Sequence, residues 1–109
     1  MPLIRLDGKR ILDWDTFHDV FADLFGFPGF YGRNMNAWID CMSYLDDPAA
    51  CMTTVHGTSA DAVVLQIDNV GSVPVPIYDA IVESAAFVNW RRIEKGESAI
   101  LTLAFYKHV

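Results

Sequence analysis

The run AVVLQI, residues 62–67, is almost continuously apolar and holds two valines, which is the composition of a short β-strand buried on both faces. Such a strand belongs inside a parallel sheet with helices on either side. Downstream, Gly71, Pro74 and Pro76 punctuate a connection. Ile77, Ala80, Ile81, Ser84 and Val88 then trace an aliphatic stripe at helical spacing, so a long helix starts near Pro76. That helix ends either at Lys95 with Gly96 as its cap, or near Asn89, leaving NWRRI to pair with the last strand; the longer helix is preferred. AILTLAF, residues 99–105, reads as the clearest strand of the chain.

Upstream, Leu3, Ile4 and Leu6 alternate with Arg5 and Asp7 as a strand closed by the turn Asp7-Gly8-Lys9. In DWDTFHDVFADLFGFP, residues 13–28, Trp14, Phe17, Val20, Phe21, Leu24 and Phe25 recur every three or four residues. Asp13 or Asp15 can cap this helix and Gly26 with Pro28 ends it. A second helix begins at Asn34, whose side chain can accept from the first-turn N–H groups. At 100° per residue Met35, Trp38, Met42 and Leu45 gather on a core side, and Asn36, Asp40, Ser43 and Asp47 on a wet one. Ile39 falls on the border, and Tyr44 lies just beyond the polar face. Residues 46–61, DDPAACMTTVHGTSAD, read as a long loop with a brief extended piece at Thr53–His56. The order strand, helix, helix, strand, helix, strand predicts one α/β domain over residues 1–109: a small open parallel sheet of about three strands packed with helices.

Composition narrows the function. Eight basic and fourteen acidic residues give a net charge of −6, which repels nucleic-acid phosphates and speeds encounter with a basic protein. The N-terminal MPLIRLDGKR meets charges at Arg5, Asp7, Lys9 and Arg10, so neither a secretory signal nor a membrane span is expected, and a cytoplasmic protein is. Two cysteines and three scattered histidines supply neither a disulfide framework nor a four-ligand zinc site; no metal or cofactor is expected. Catalysis would require Cys41 to act with a histidine, or Asp40 with a second carboxylate. Cys41 lies toward the core side of its helix, and no motif links it to His18, His56 or His108. No enzyme is expected.

Phe30 and Tyr31 stand before the second helix, where aromatic rings either anchor an interface or seal the gap between helices. Asn36, Asp40 and Ser43, one turn apart, form either a contact face or an ordinary solvated one. FYGRNMNAWIDCMSYL, residues 30–45, resembles the signature of the barstar family, intracellular inhibitors of a secreted ribonuclease, whose stretch reads aromatic-Tyr-Gly-x-Asn-apolar-Asp-Ala-apolar-Trp-Asp-Cys-Leu-Thr. The likeness starts upstream with Phe17, His18, Phe25 and Phe27-Pro28. It continues more weakly through residues 62–67 and 96–103, skipping 46–61 as an insertion.

The resemblance implies a barstar-like fold and inhibition by occlusion. An acid on the second helix fills a pocket that otherwise receives substrate phosphate, and this acid is Asp40. Phe30, Tyr31, Gly32, Asn34, Asn36, Ile39, Ser43 and Tyr44 occupy the other contact positions. The implied partner is a basic ribonuclease or related toxin protein, bound by a chain that is monomeric when free, with no direct contact to nucleic acid. Three departures stand out: Asn36 replaces an acid, Ile39 replaces an interface tryptophan while Trp38 moves to the core face, and Arg91 and Lys95 fall where the family places acids. Opposite rim charge disfavours the same ribonuclease and points to a related but different target. An immunity protein for a toxin that is not a ribonuclease, or a domain that has lost its partner, are the competing readings.

Overall fold

The computed structural model describes residues 2–107; His108 lies outside them. Strands β1 (Leu3–Asp7), β2 (Val63–Asp68) and β3 (Leu101–Phe105) form one sheet in the order β1-β2-β3, with both pairings parallel. Helices α1 (Trp14–Phe25), α2 (Met35–Ser43) and α3 (Val75–Glu94) complete the fold, with 3-10 turns at Gly8–Arg10, Pro48–Ala50 and Val70–Ser72. The strand-helix-helix-strand-helix-strand order is the predicted one.

The register sorts side chains onto two faces. Ile4, Leu65 and Leu103 form one row, Leu6, Ile67 and Phe105 the next, and Val63 lies beside Leu101. Leu6, Val63, Leu65 and Ile67 on this face are fully buried in one core with Phe17, Phe21, Phe25, Trp38, Ile77, Ile81 and Val88 from the helices. The opposite face differs from the expectation of helices on both sides. Leu3, Arg5 and Thr102 are exposed there, and Val64 and Gln66 are half-buried. A central strand with an apolar residue on its open face is shielded by its two flanking strands, so Val64 needs no helix above it. Polar contacts finish this face: Arg5 pairs with Asp68 at 2.8 Å, and Gln66 Nε2 donates to the same carboxylate at 2.7 Å.

Local chemistry sets the helix ends. Asp13 caps α1 reciprocally with Thr16, its carboxylate accepting from Thr16 N–H while the Thr16 hydroxyl accepts from Asp13 N–H. Gly26 ends α1 at φ +66°, and a Cβ there would run into the Thr54 side chain, so the position needs glycine twice over. Asn34 caps α2 by accepting from Ala37 N–H at 2.8 Å. Helix α3 takes the longer of its two predicted extents: Glu97 N–H closes onto Arg92 O and Gly96 adopts φ +80°. Two smaller expectations are corrected. Strand β3 starts at Leu101 rather than residue 99. Thr53–His56 pairs with no strand; its neighbourhood ties down helix ends instead, Thr54 N–H donating to Phe25 O and Gly57 N–H to Leu45 O.

Candidate functional site

The loop from Gly26 to Asn34 leads directly from α1 into α2. Phe30 stands at the tip of a turn closed by Tyr31 N–H donating to Pro28 O at 2.9 Å, and it is 77% exposed. Tyr31 points the other way. Its half-buried ring lies 4.8 Å from Phe27 and 5.5 Å from His18, and its hydroxyl is 2.6 Å from His18 Nδ1. Burial raises the Tyr31 pKa and lowers that of His18, so at neutral pH the phenol stays protonated and the imidazole neutral, and the two share this hydrogen bond. Of the two readings open for these aromatics, Tyr31 seals the gap between helices, while Phe30 is open to solvent.

Gly32 is exposed, and Asn34 is engaged in capping, with Nδ2 also donating to Gly32 O at 3.3 Å. Between them Arg33 adopts φ +55° and crosses to α1, donating to Asp19 at 2.8 Å and to Asp15 O at 3.1 Å. These bonds fasten the loop to α1 and fix the entry angle of α2.

Along α2 the two sides separate as their spacing predicts. Trp38, Cys41 and Met42 are buried; Asn36 and Asp40 are exposed. The Trp38 ring packs edge-on to Phe21 at 5.7 Å, and its Nε1 finds no hydrogen-bond partner among the described residues. Ile39, on the border, is half-buried against the core. Ser43 is half-buried too, its hydroxyl donating to Ile39 O at 2.6 Å, which leaves only its lone pairs for anything outside the helix. Tyr44 is exposed at the C-terminal end. Burial, reinforced by the neighbouring Asp40 charge, pushes the Cys41 thiol up to about 11, so it is a protonated core group at neutral pH and not a nucleophile.

Asp40 is the central acid of this face. Its carboxylate is 60% exposed, and its ion pair to Arg91 on α3 is loose at 3.8 Å. Beyond Tyr44 the surface drops into a cleft of about 440 Å³ between the end of α2 and α3, lined by Ser43, Asp46, Arg91 and Lys95 among others. At its floor lies a residue that the sequence reading passed over. Arg92 is buried, donating to both oxygens of Asp46 at 2.9 Å, to Ser98 O at 2.8 Å and to Ser43 O at 3.3 Å. It ties the last turn of α2, the following loop and the α3–β3 connection together. Its guanidinium holds the Asp46 carboxyl below the usual carboxylate range. The signal was available: at 100° per residue Arg92 falls on the same side of α3 as Ile81, Ala85 and Val88, and an arginine on a core side implies a partnered charge.

Thus Phe30, Gly32, Asn36, Asp40 and Tyr44 are exposed, Ile39 and Ser43 are half-buried, and the Tyr31 and Asn34 side chains are engaged within the fold. Among the described residues no three His, Cys, Asp or Glu side chains come together as metal ligands, and no helix is long and apolar enough to cross a membrane.

Comparison with known proteins falls on this same region. The family model for barstar (barnase inhibitor) matches residues 1–73, two thirds of the chain, and takes in α1, the loop and all of α2. A Bacillus subtilis (strain 168) protein named "Putative ribonuclease inhibitor YrdF" is 37% identical over 43 residues, which is 39% of this chain and 47% of that relative. The match therefore spans about half the relative's length.

Proposed function

Since this chain belongs to the barstar family, we propose that it is a protein inhibitor that blocks the active site of a basic ribonuclease with the surface from Phe30 to Tyr44. The observation that carries this reading is Asp40: a carboxylate mostly open to solvent, on a helix whose far side is locked into the core by Trp38 and Met42. An enzyme that cleaves RNA holds the scissile phosphate with Arg, Lys or His, and those donors accept a rigidly presented carboxylate in its place. Phe30 and Tyr44 flank the acid with exposed aromatic surface, and Asn36 one turn earlier offers amide hydrogen bonds. Residues whose side chains are engaged within the fold, Tyr31 and Asn34 above all, serve the interface by setting its shape.

The net charge of −6 supports a basic partner, and the inhibitor reading implies a cytoplasmic chain that meets such an enzyme before its export or after its entry. The absence of an acid at Asn36 and the Arg91 cation beside Asp40 support a target other than the ribonuclease that a more acidic relative would block; a toxin of different chemistry with a basic cleft is the second reading. The test is affinity capture from the native cell followed by RNA cleavage assays of the captured protein. Cleavage that is suppressed stoichiometrically by added chain bears the proposal out. A captured partner without ribonuclease activity favours the second reading.

A further inference from the structure

The surface around Asp40 does not stop at α2. A chain of contacts runs from Asp40 to Arg91 at 3.8 Å, from the Arg91 guanidinium to the Phe87 ring at 5.7 Å, and from Phe87 to Trp90 at 5.7 Å. Phe87 and Trp90 are 43% and 55% exposed. They are not needed for the core, because α3 already buries Ile77, Ile81, Ala85 and Val88 on its other side. Exposed aromatics joined to an arginine are the composition of interface anchors.

We propose that the inhibitory surface extends onto α3 through Arg91, Phe87 and Trp90. It takes a ribonuclease whose phosphate-binding cleft is bordered by carboxylates and an apolar patch. The proposal rests on the inhibitor reading and names the partner's chemistry more closely. Charge complementarity carries it. When a partner cation settles on Asp40 it arrives beside Arg91, and closing the interface removes the water that screens the two like charges. A partner carboxylate facing Arg91 cancels that repulsion and keeps Arg91 paired. Lys95, exposed one turn further on, adds to the same demand. Arg92 does not, since Asp46 already takes its charge. Phe87 and Trp90 then cover the carboxylates from water on the side away from α2.

The test is a selection with a defined probe. Catalytically inactive barnase, randomised at the surface positions that border its phosphate-binding cleft, is selected for binding to this chain. The expected result is enrichment of Asp and Glu, in clones that bind R91E/K95E and F87A/W90A baits each roughly tenfold more weakly. These substitutions are at surface positions, and unchanged thermal midpoints verify that the baits fold. Clones without acidic enrichment, or equally tight on those two baits while weakened by Asp40→Ala, overturn the extension and leave the inhibitor reading standing. Clones indifferent to Asp40→Ala overturn the inhibitor reading and the extension with it, and a selection that yields no binder overturns the extension.

Discussion

Tyr31 and Asp40 sit nine positions apart in the same motif-bearing stretch and do opposite things. The Tyr31 hydroxyl shares a hydrogen bond with Nδ1 of buried His18, so Tyr31→Phe leaves that nitrogen without its partner and is expected to cost about 1–3 kcal/mol of stability, measured by urea unfolding. The pair also predicts a pH dependence. Burial, with Arg33 nearby, depresses the His18 pKa in the folded chain, so the folded state binds fewer protons than the unfolded one over that interval. The stabilisation is complete above the ordinary histidine value of 6.5 and is lost as pH falls through the lower folded value. A His18→Gln variant should lose that slope; an unchanged slope would place its origin elsewhere. Spacing could show that Tyr31 stands where an aromatic is useful, but its direction is set by a contact thirteen residues away in the sequence, which periodicity does not encode.

Among the elements, α2 was the most legible, because a capping asparagine, a four-residue apolar period and a polar face all agree within nine residues. β2 was legible as a strand and misleading as to its surroundings: an apolar run is compatible with helices on both faces or with lateral cover from sheet neighbours, and here the second holds. The clamp between α2 and α3 was the hardest to see, because Arg92 and Asp46 are far apart in sequence and only the tertiary packing joins them. Replacing Arg92 with Met should destabilise the fold by about 2–3 kcal/mol, since it removes charged hydrogen bonds and strands Asp46. It should also flatten the acid limb. Asp46 has a depressed folded pKa, so its stabilisation is full above the usual aspartate value of 3.8 and is lost as pH falls through the folded value. Thermal midpoints between pH 2 and pH 6 for both proteins check this, and parallel curves would contradict it.

At the scale of the molecule, three parallel strands with all their helices on one side leave α2 and α3 adjacent, and that adjacency sets Arg91 beside Asp40. The fold class followed from element order alone. The balance of charge over the candidate surface did not, because it depends on which residues of two separate helices meet. A chain of net charge −6 approaching a basic enzyme is steered over about 10 Å or less at physiological ionic strength. Association should therefore slow as salt rises while dissociation changes little, as stopped-flow mixing with the captured ribonuclease would show. Salt-independent association would argue against a basic partner.

The central claim, that an exposed carboxylate on α2 stands in for a substrate phosphate, is tested most directly by titrating the ribonuclease activity of the captured partner with wild type and with Asp40→Ala. The side chain is solvated in the free protein, so the variant should keep its thermal midpoint, with stability within about 0.5 kcal/mol of wild type. Its inhibition should weaken by about 2–5 kcal/mol, the range for truncating one member of a buried charge pair, to which inhibitors of this family have themselves contributed. A variant that inhibits as tightly as wild type, or whose loss of inhibition only mirrors a loss of folding, would contradict the account.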